Sequence, residues 1–193
     1  MIIQPSDPEI YHLFARLLEY PQPGMEELMR QLIGKLPPVS PEAADLLTSF
    51  QQFVRKVPRF RLEEIYTSTF DLQGAGCPYI GHHIFGATYK RSWFMARLNR
   101  EYRLWGYSAG NELPDHISVV LGFLALGNKD EFTQTLLEEG LVPAVEKMVD
   151  ELKPKAENPY YWVLQSLKLV LGGKGNANPQ QSAGSDMGEE DHA

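Results

Sequence analysis

The sequence predicts an all-α fold, a single-domain helical bundle of about eight or nine helices by its pattern of apolar repeats. Three observations predict this. Apolar residues recur three and four positions apart along most of the chain. Start signals made of a capping residue, a proline and an acid precede several of these segments. No alternating run of β-branched residues is long enough to predict a strand. The domain is expected to cover residues 1–171.

The first four helices follow from repeated local signals. Asp7-Pro8-Glu9 begins the first helix, with an acid near the positive end of the helix dipole. Ser40-Pro41-Glu42 repeats this signal at the third helix, which ends before Pro58. Short apolar stripes predict the second helix near residues 25–33 and the fourth near residues 62–70.

The second half alternates loops and helices. Periodicity is lost over residues 71–86, where four glycines and a proline predict a loop. A long helix is expected over residues 88–105, with Gly106 as its end. A second loop covers 111–116, and its Asp115 is expected to cap the helix at 117–124. Three further helices are expected over roughly 129–138, 141–152 and from 158 onward.

Composition limits the class of protein. Residues 172–193 hold almost no large apolar side chain, so they predict a disordered tail. The N-terminal sequence does not resemble a secretory signal, and no apolar run is long enough for a membrane span. The single cysteine fits a reducing compartment, and the net charge of −7 disfavours nucleic acid. We expect a cytoplasmic protein without nucleic acid or stable membrane insertion.

Few residues suggest catalysis or metal binding. Cys77 lies near His82 and His83, but a structural zinc site needs four ligands, so a histidine pair with one packed and one solvated ring is favoured. No nucleophile motif or phosphate-binding loop is present. We therefore expect no enzyme activity, metal or cofactor. The alternative is a small metal- or cofactor-dependent enzyme that uses Cys77, His82, His83 and His116.

The predicted long helix is basic. It carries Lys90, Arg91, Arg97, Arg100 and Arg103. Such a run indicates either a solvated face paired with acids such as Glu101 or a local anion site, and the sequence leaves its role open.

The two predicted loops share aromatic and acidic residues. Tyr79 and Phe85 lie in the first loop, and Tyr107, Glu112 and Asp115 lie in or beside the second. Aromatic rings beside carboxylates suit an arginine-bearing peptide, because a guanidinium can stack and form ion pairs at the same time.

Several segments resemble the TorD/DmsD/NarJ family of molybdoenzyme maturation chaperones. Residues 66–72, YTSTFDL, are similar to its Y-x-x-x-F-D motif, and residues 112–116 read ELPDH like the family's second motif. Residues 77–79, 17–21 and 158–161 resemble further family stretches, and 81–98 is most similar to the NarJ-like branch that serves type II dimethylsulfoxide-reductase-family enzymes. One departure is Gly122, where the family often has glutamate.

The resemblance implies a function. Such a chaperone binds the N-terminal, twin-arginine-type segment of a molybdenum oxidoreductase catalytic subunit, as in nitrate reductase assembly, until its cofactor is inserted. The implied peptide-binding residues are Tyr66, Phe70, Pro78, Tyr79, Glu112, Leu113, Pro114, Asp115 and His116. Glu112 and Asp115 are expected to pair with client arginines. The client's identity and a homodimer are left open.

Overall fold

The computed structural model describes residues 7–70, 76–127, 129–153 and 157–172. The helices are α1 (Pro8–Leu17), α2 (Met25–Lys35), α3 (Pro41–Val54), α4 (Arg59–Phe70), α5 (Ile80–Phe85), α6 (Tyr89–Leu104), α7 (Ile117–Leu124), α8 (Glu131–Thr135), α9 (Val142–Leu152) and α10 (Tyr160–Gly172), with a π-helical segment at Leu136–Leu141. Because α8, the π segment and α9 are continuous, these ranges hold nine separate helices and no strand. The predicted all-α class and helix number are confirmed. Gly172, the first residue of the predicted tail, is the last residue of α10, and the rest of the predicted tail lies outside the described residues.

The predicted helix starts are present at α1 and α3. The Asp7 carboxylate accepts a hydrogen bond from the Glu9 backbone N–H at 2.9 Å. The Ser40 hydroxyl oxygen accepts one from the Ala43 N–H at 3.2 Å. Each bond satisfies a backbone donor that has no partner within its helix. Lys35, at the end of α2, pairs with Asp7 at 2.9 Å and so joins the first two helices.

The core lies where the long helices cross. Helix α1 packs against α2 and α7, and α10 packs against α3 and α9. The largest fully buried side chains are apolar or aromatic, and they include Phe14, Phe50, Tyr102, Phe123 and Tyr160. Burying such side chains is the main source of stability, at roughly 1.5–3 kcal/mol each. The core therefore holds α1 and α7 in fixed positions beside the site described below.

The predicted loop at 71–86 is wrong over its second half. Residues 80–85 form α5, a helix that packs against α9. Ile80 is fully buried, close to Gly140 of the π segment. Packing against another helix thus outweighs the poor helix propensity of a glycine-bearing sequence. Residues 71–75, which include Asp71 of the YTSTFDL motif, lie outside the described residues.

The two helices expected over 129–138 and 141–152 are joined, which corrects the predicted break between them. The chain continues through the π-helical turn into α9. Pro143 has no N–H to donate to the preceding turn, and a π-helical turn relieves that mismatch without ending the helix. Leu136, Leu137 and Leu141 are buried, so their packing favours a continuous helix. None of the helices in the described ranges is both long enough and apolar enough to cross a membrane.

Candidate functional site

The two segments predicted to act together meet in an isolated antiparallel bridge between Tyr79 and His116. The Ile80 N–H donates to the carbonyl oxygen of Asp115, and the Ile117 N–H donates to that of Pro78, both at 2.8 Å. The bridge connects the start of α5 to the start of α7. It therefore places the residues of the Cys77-Pro78-Tyr79 stretch directly beside the ELPDH segment.

A buried ion pair between Asp115 and Arg91 lies beside this β-bridge. The Asp115 carboxylate is fully buried and accepts two hydrogen bonds from Arg91, from Nε at 2.7 Å and from Nη2 at 3.2 Å. The hydrogen bond to Asp115 raises the pKa of Arg91. The guanidinium also lies 5.1 Å from the centre of the Tyr79 ring. A buried carboxylate needs a cation of this kind, so Arg91 connects α6 to the bridge.

The prediction that Asp115 caps α7 is wrong, because Arg91 binds its carboxylate. The N-cap is His116, whose Nδ1 accepts the Ser118 backbone N–H at 3.2 Å and lies 2.7 Å from the Ser118 hydroxyl. Burial lowers the pKa of His116, so the ring is neutral near pH 7. Since Nδ1 accepts a backbone N–H, the proton of the neutral ring is on Nε2. The ring also makes an edge-to-face contact with Tyr79 at 5.5 Å.

Gly81 allows α5 to lie against the ion pair. A Cβ atom at this position would be 2.6 Å from the Asp115 carboxylate oxygen Oδ2 and 3.2 Å from Cγ of Arg91. The first distance is too short for a Cβ atom unless the buried carboxylate moves. Gly81 is therefore required for the close approach of α5 to Asp115, which is a different role from the loop flexibility expected from the sequence.

A cavity of about 540 Å³ opens beside the bridge. We name it the Tyr66 cavity; its walls include Glu19, Tyr20, Tyr66, Tyr107, Glu112 and His116. Two of its rings are fixed by hydrogen bonds to backbone carbonyls, from the Tyr66 hydroxyl to Leu18 at 3.1 Å and from the Tyr107 hydroxyl to Val119 at 2.9 Å. The cavity is therefore a largely preformed space between α1, α4 and the segment that precedes α7.

The Tyr66 cavity is acidic. Neither Glu19 nor Glu112 forms an ion pair with any residue in the described part of the chain. Partial burial raises the pKa of Glu19, against the opposing effect of Arg16 and His12. Burial, and then the charges of Glu112 and Glu19, raise the pKa of Tyr66, so both carboxylates act on the same phenol. Two carboxylates beside aromatic rings, neither held in an ion pair among the described residues, suit a cationic ligand.

The structure brings most of the predicted site residues to this region. Tyr66, Glu112 and His116 line the cavity, and the Tyr79 hydroxyl donates to Glu112 at 3.3 Å. Phe70 is buried behind them, where its ring lies 4.9 Å from that of Tyr66. The remaining predicted residues differ in exposure: Pro78, Pro114 and Asp115 are buried, and Leu113 is 42% exposed.

The predicted peptide-binding residues do not include Glu19, Tyr20 and Tyr107, which also line the cavity, although Tyr107 was named beside the second loop. The first two follow α1, far from the predicted loops in sequence. A signal for them exists, because both lie in the Leu17–Pro21 stretch that resembles the family.

The alternative metal site is not assembled. The described residues contain no group of three or more His, Cys, Asp or Glu side chains arranged to hold a metal. Nε2 of His83 lies 2.7 Å from the Cys77 carbonyl oxygen, and burial raises the pKa of the Cys77 thiol. His83 is buried and His82 is exposed, as predicted for the pair.

The basic helix, α6, divides into two faces. Arg91 points to Asp115, whereas Arg97, Arg100 and Arg103 are exposed. Arg97 lies over the Phe132 ring at 5.1 Å. Pairing with Glu101, one of the two alternatives left open by the sequence, does not occur among the described ion pairs. The outer face is therefore solvated and uncompensated.

Comparison with known proteins identifies the family. Residues 36–154, more than half of the chain, match the nitrate reductase delta subunit family. The chain belongs to the nitrate reductase delta subunit family. In this delta-subunit family member, the matched range includes both segments of the Tyr79–His116 bridge. Glu19 and Tyr20 lie before that range.

A crystal structure of a proposed redox enzyme maturation protein from Archaeoglobus fulgidus is similar to this delta-subunit family member. The TM-score is 0.59 at 22% sequence identity, over 86% of this chain and 94% of that one. At this level of identity the likeness shows a shared fold. No curated protein matches the chain.

Proposed function

We propose that this protein is a cytoplasmic maturation chaperone for a molybdenum-containing oxidoreductase, without catalytic activity of its own. Its membership of the nitrate reductase delta subunit family supports this role. The sequence motifs favour the NarJ-like branch and, as clients, type II dimethylsulfoxide-reductase-family enzymes. In this proposal residues 1–171 act as a single chaperone domain.

The proposed ligand is the N-terminal, twin-arginine-type segment of the client's catalytic subunit. The observation that carries this proposal is the Tyr66 cavity, whose aromatic walls and unpaired carboxylates are next to the Tyr79–His116 bridge. An extended segment can place apolar side chains against Tyr66, Tyr79 and the exposed Leu113. Binding of this segment would hold the subunit back until its cofactor is inserted.

Asp115 and Glu112 have different proposed roles in peptide binding. A client arginine would have to compete with Arg91 for the buried Asp115 carboxylate, whereas Glu112 is exposed and free to form an ion pair. We therefore propose that Asp115 holds the bridge in position while Glu112 contacts the ligand. Both residues remain part of the site, at different distances from the peptide.

The test is co-purification of the tagged protein from its native host, followed by mass spectrometry. Enrichment of a molybdenum oxidoreductase catalytic subunit is expected. Calorimetric titration with the synthetic N-terminal peptide of that subunit should then show binding, and a peptide of the same composition in scrambled order should not. Failure to enrich any molybdoenzyme subunit under conditions in which the host makes one would contradict the proposal.

A further inference from the structure

One polar group in the Tyr66 cavity has no partner. His116 is only 5% exposed, and its Nδ1 is held by Ser118. In the part of the chain that the structure describes, no group accepts a hydrogen bond from Nε2, and the ring forms part of the cavity wall. Because the proton of the neutral ring is on Nε2, this N–H donor faces the cavity, where it is not sealed from solvent. A peptide carbonyl oxygen is a suitable acceptor for it.

The two cavity carboxylates come from different parts of the fold. Glu19 follows α1, and Glu112 lies in the segment before α7. Glu112 already accepts the Leu113 N–H at 2.9 Å, which orients its side chain. Two carboxylates from different parts of the fold suit a planar guanidinium, whose five donors are spread over a rigid fork, whereas the three donors of a lysine ammonium share one nitrogen.

We infer that the Tyr66 cavity is a subsite for one arginine of the bound segment, in which Glu19 and Glu112 accept hydrogen bonds from its guanidinium and His116 Nε2 donates to a neighbouring peptide carbonyl. This inference deepens the proposed function and rests on it for the identity of the ligand. The guanidinium would stack on the tyrosine rings of the wall, and the carbonyl bond would set the direction of the chain. The volume of about 540 Å³ is in the usual range for ligand pockets.

A metal ion does not fit the same groups. Glu19, Glu112 and His116 do not form a cluster able to coordinate a metal, by the arrangement of the described residues. The donors of a guanidinium suit the two carboxylates, whereas the His116 Nε2 donor needs an acceptor such as a peptide carbonyl. The three groups therefore suit an arginine side chain together with its peptide backbone.

The first test uses a probe that does not depend on the client. Acetyl-L-arginine N-methylamide is titrated into the isotope-labelled full chain and followed by NMR, with the citrulline and lysine analogues as matched ligands. Citrulline has nearly the shape of arginine without its charge. We expect the arginine probe to shift the resonances of His116 and the tyrosine side chains of the cavity. We expect citrulline to bind at least about tenfold more weakly, which corresponds to about 1.4 kcal/mol. Equal binding of arginine and citrulline would overturn the inference.

Single substitutions then test which side chains of the cavity bind the arginine probe. Glu19→Gln and Glu112→Gln remove the charges and should each weaken arginine binding about tenfold, the loss of one charge-assisted hydrogen bond. Glu64→Gln is the matched control, because Glu64 is exposed on α4, pairs with Arg61 and lies outside the cavity. His116→Asn keeps an acceptor for capping α7 and removes the imidazole donor. It should weaken binding of the arginine and citrulline probes by a similar factor, since both contain the carbonyl.

The outcomes distinguish failure of the arginine subsite from failure of the proposed chaperone function. If a client peptide binds with unchanged affinity to the folded Glu19→Gln/Glu112→Gln double variant, the arginine subsite is wrong and the chaperone function stands. If the arginine probe binds as expected but no molybdoenzyme subunit co-purifies, the subsite stands and the client assignment fails.

Discussion

The hydroxyl of Tyr107 lies directly against Gly122, on the face of α7 that borders the Tyr66 cavity. A Cβ atom at position 122 would collide with the Tyr107 hydroxyl oxygen and lie 3.3 Å from its ring carbon Cζ. The ring is held by a hydrogen bond to the Val119 carbonyl and by edge-to-face packing on Tyr102. The glycine that departs from the family's frequent glutamate thus makes room for a tyrosine of the cavity wall.

Gly122→Ala should therefore destabilise the protein, although alanine is the better helix former by roughly 0.5–1 kcal/mol. The collision with Tyr107 should outweigh this gain, with a net loss of about 1–3 kcal/mol in the free energy of unfolding. Urea denaturation measures it. Tyr107→Phe in the same chain removes the hydroxyl and should recover most of the loss. Increased stability of Gly122→Ala alone would show that Tyr107 moves aside freely.

Arg91→Met should be among the most destabilising single substitutions outside the apolar core. It leaves the fully buried Asp115 carboxylate without its cation, which typically costs about 3–5 kcal/mol. The double variant Arg91→Met/Asp115→Asn should be more stable than Arg91→Met, because the unpaired buried charge is gone. A double-mutant cycle by chemical denaturation isolates the coupling. A coupling near zero would mean that the ion pair does not form in solution.

Peptide binding tests whether Asp115 and His116 of the ELPDH segment belong to the site. Asp115→Asn removes the charge that holds Arg91, and His116→Ala removes both the cap and the donor to the cavity. We expect each to weaken binding of the client peptide by one to two decades, at about 1.4 kcal/mol per decade. Calorimetry measures affinity, and circular dichroism checks that each variant is folded. If both variants are folded and bind as tightly as the parent, the site is elsewhere.

Stability should decrease as the pH falls below about 6.5, the ordinary pKa of histidine. Burial lowers the pKa of His83 and of His116 in the folded state, so the unfolded chain takes up protons first. Each histidine then contributes a loss of up to about 1.4 kcal/mol per pH unit until its folded form is protonated. Glu19, whose pKa is raised by burial, acts in the opposite direction at lower pH.

The measurement is the free energy of unfolding by urea at several pH values. His116→Asn should reduce the slope of stability against pH, because one of the two buried histidines is gone. His83→Asn should reduce the slope in the same way, since His83 is the other buried ring. A stability that does not change between about pH 7.5 and about pH 5.5 would contradict the assignment of two buried neutral rings.

The amino-acid sequence alone was sufficient to predict the helical class and the starts of α1 and α3. Caps such as Asp7 and Ser40 act within three residues, and apolar stripes repeat within one turn, so both signals are local. The motifs also placed the site near Tyr79 and His116. These patterns could not show which partner each polar side chain binds. Asp115 was expected to cap α7, and it is bound instead by Arg91.

Tertiary structure decided the rest, through contacts between residues that are far apart in sequence. Helix α5 forms because Ile80 packs near Gly140, and Glu19 joins the cavity because α1 packs against α7. Because Arg91 binds the Asp115 carboxylate, the cap of α7 is His116, through its Nδ1. Its Nε2 has no partner among the described residues. A local pattern cannot specify these outcomes, because burial determines which partner satisfies each polar group, and burial is a property of the whole fold.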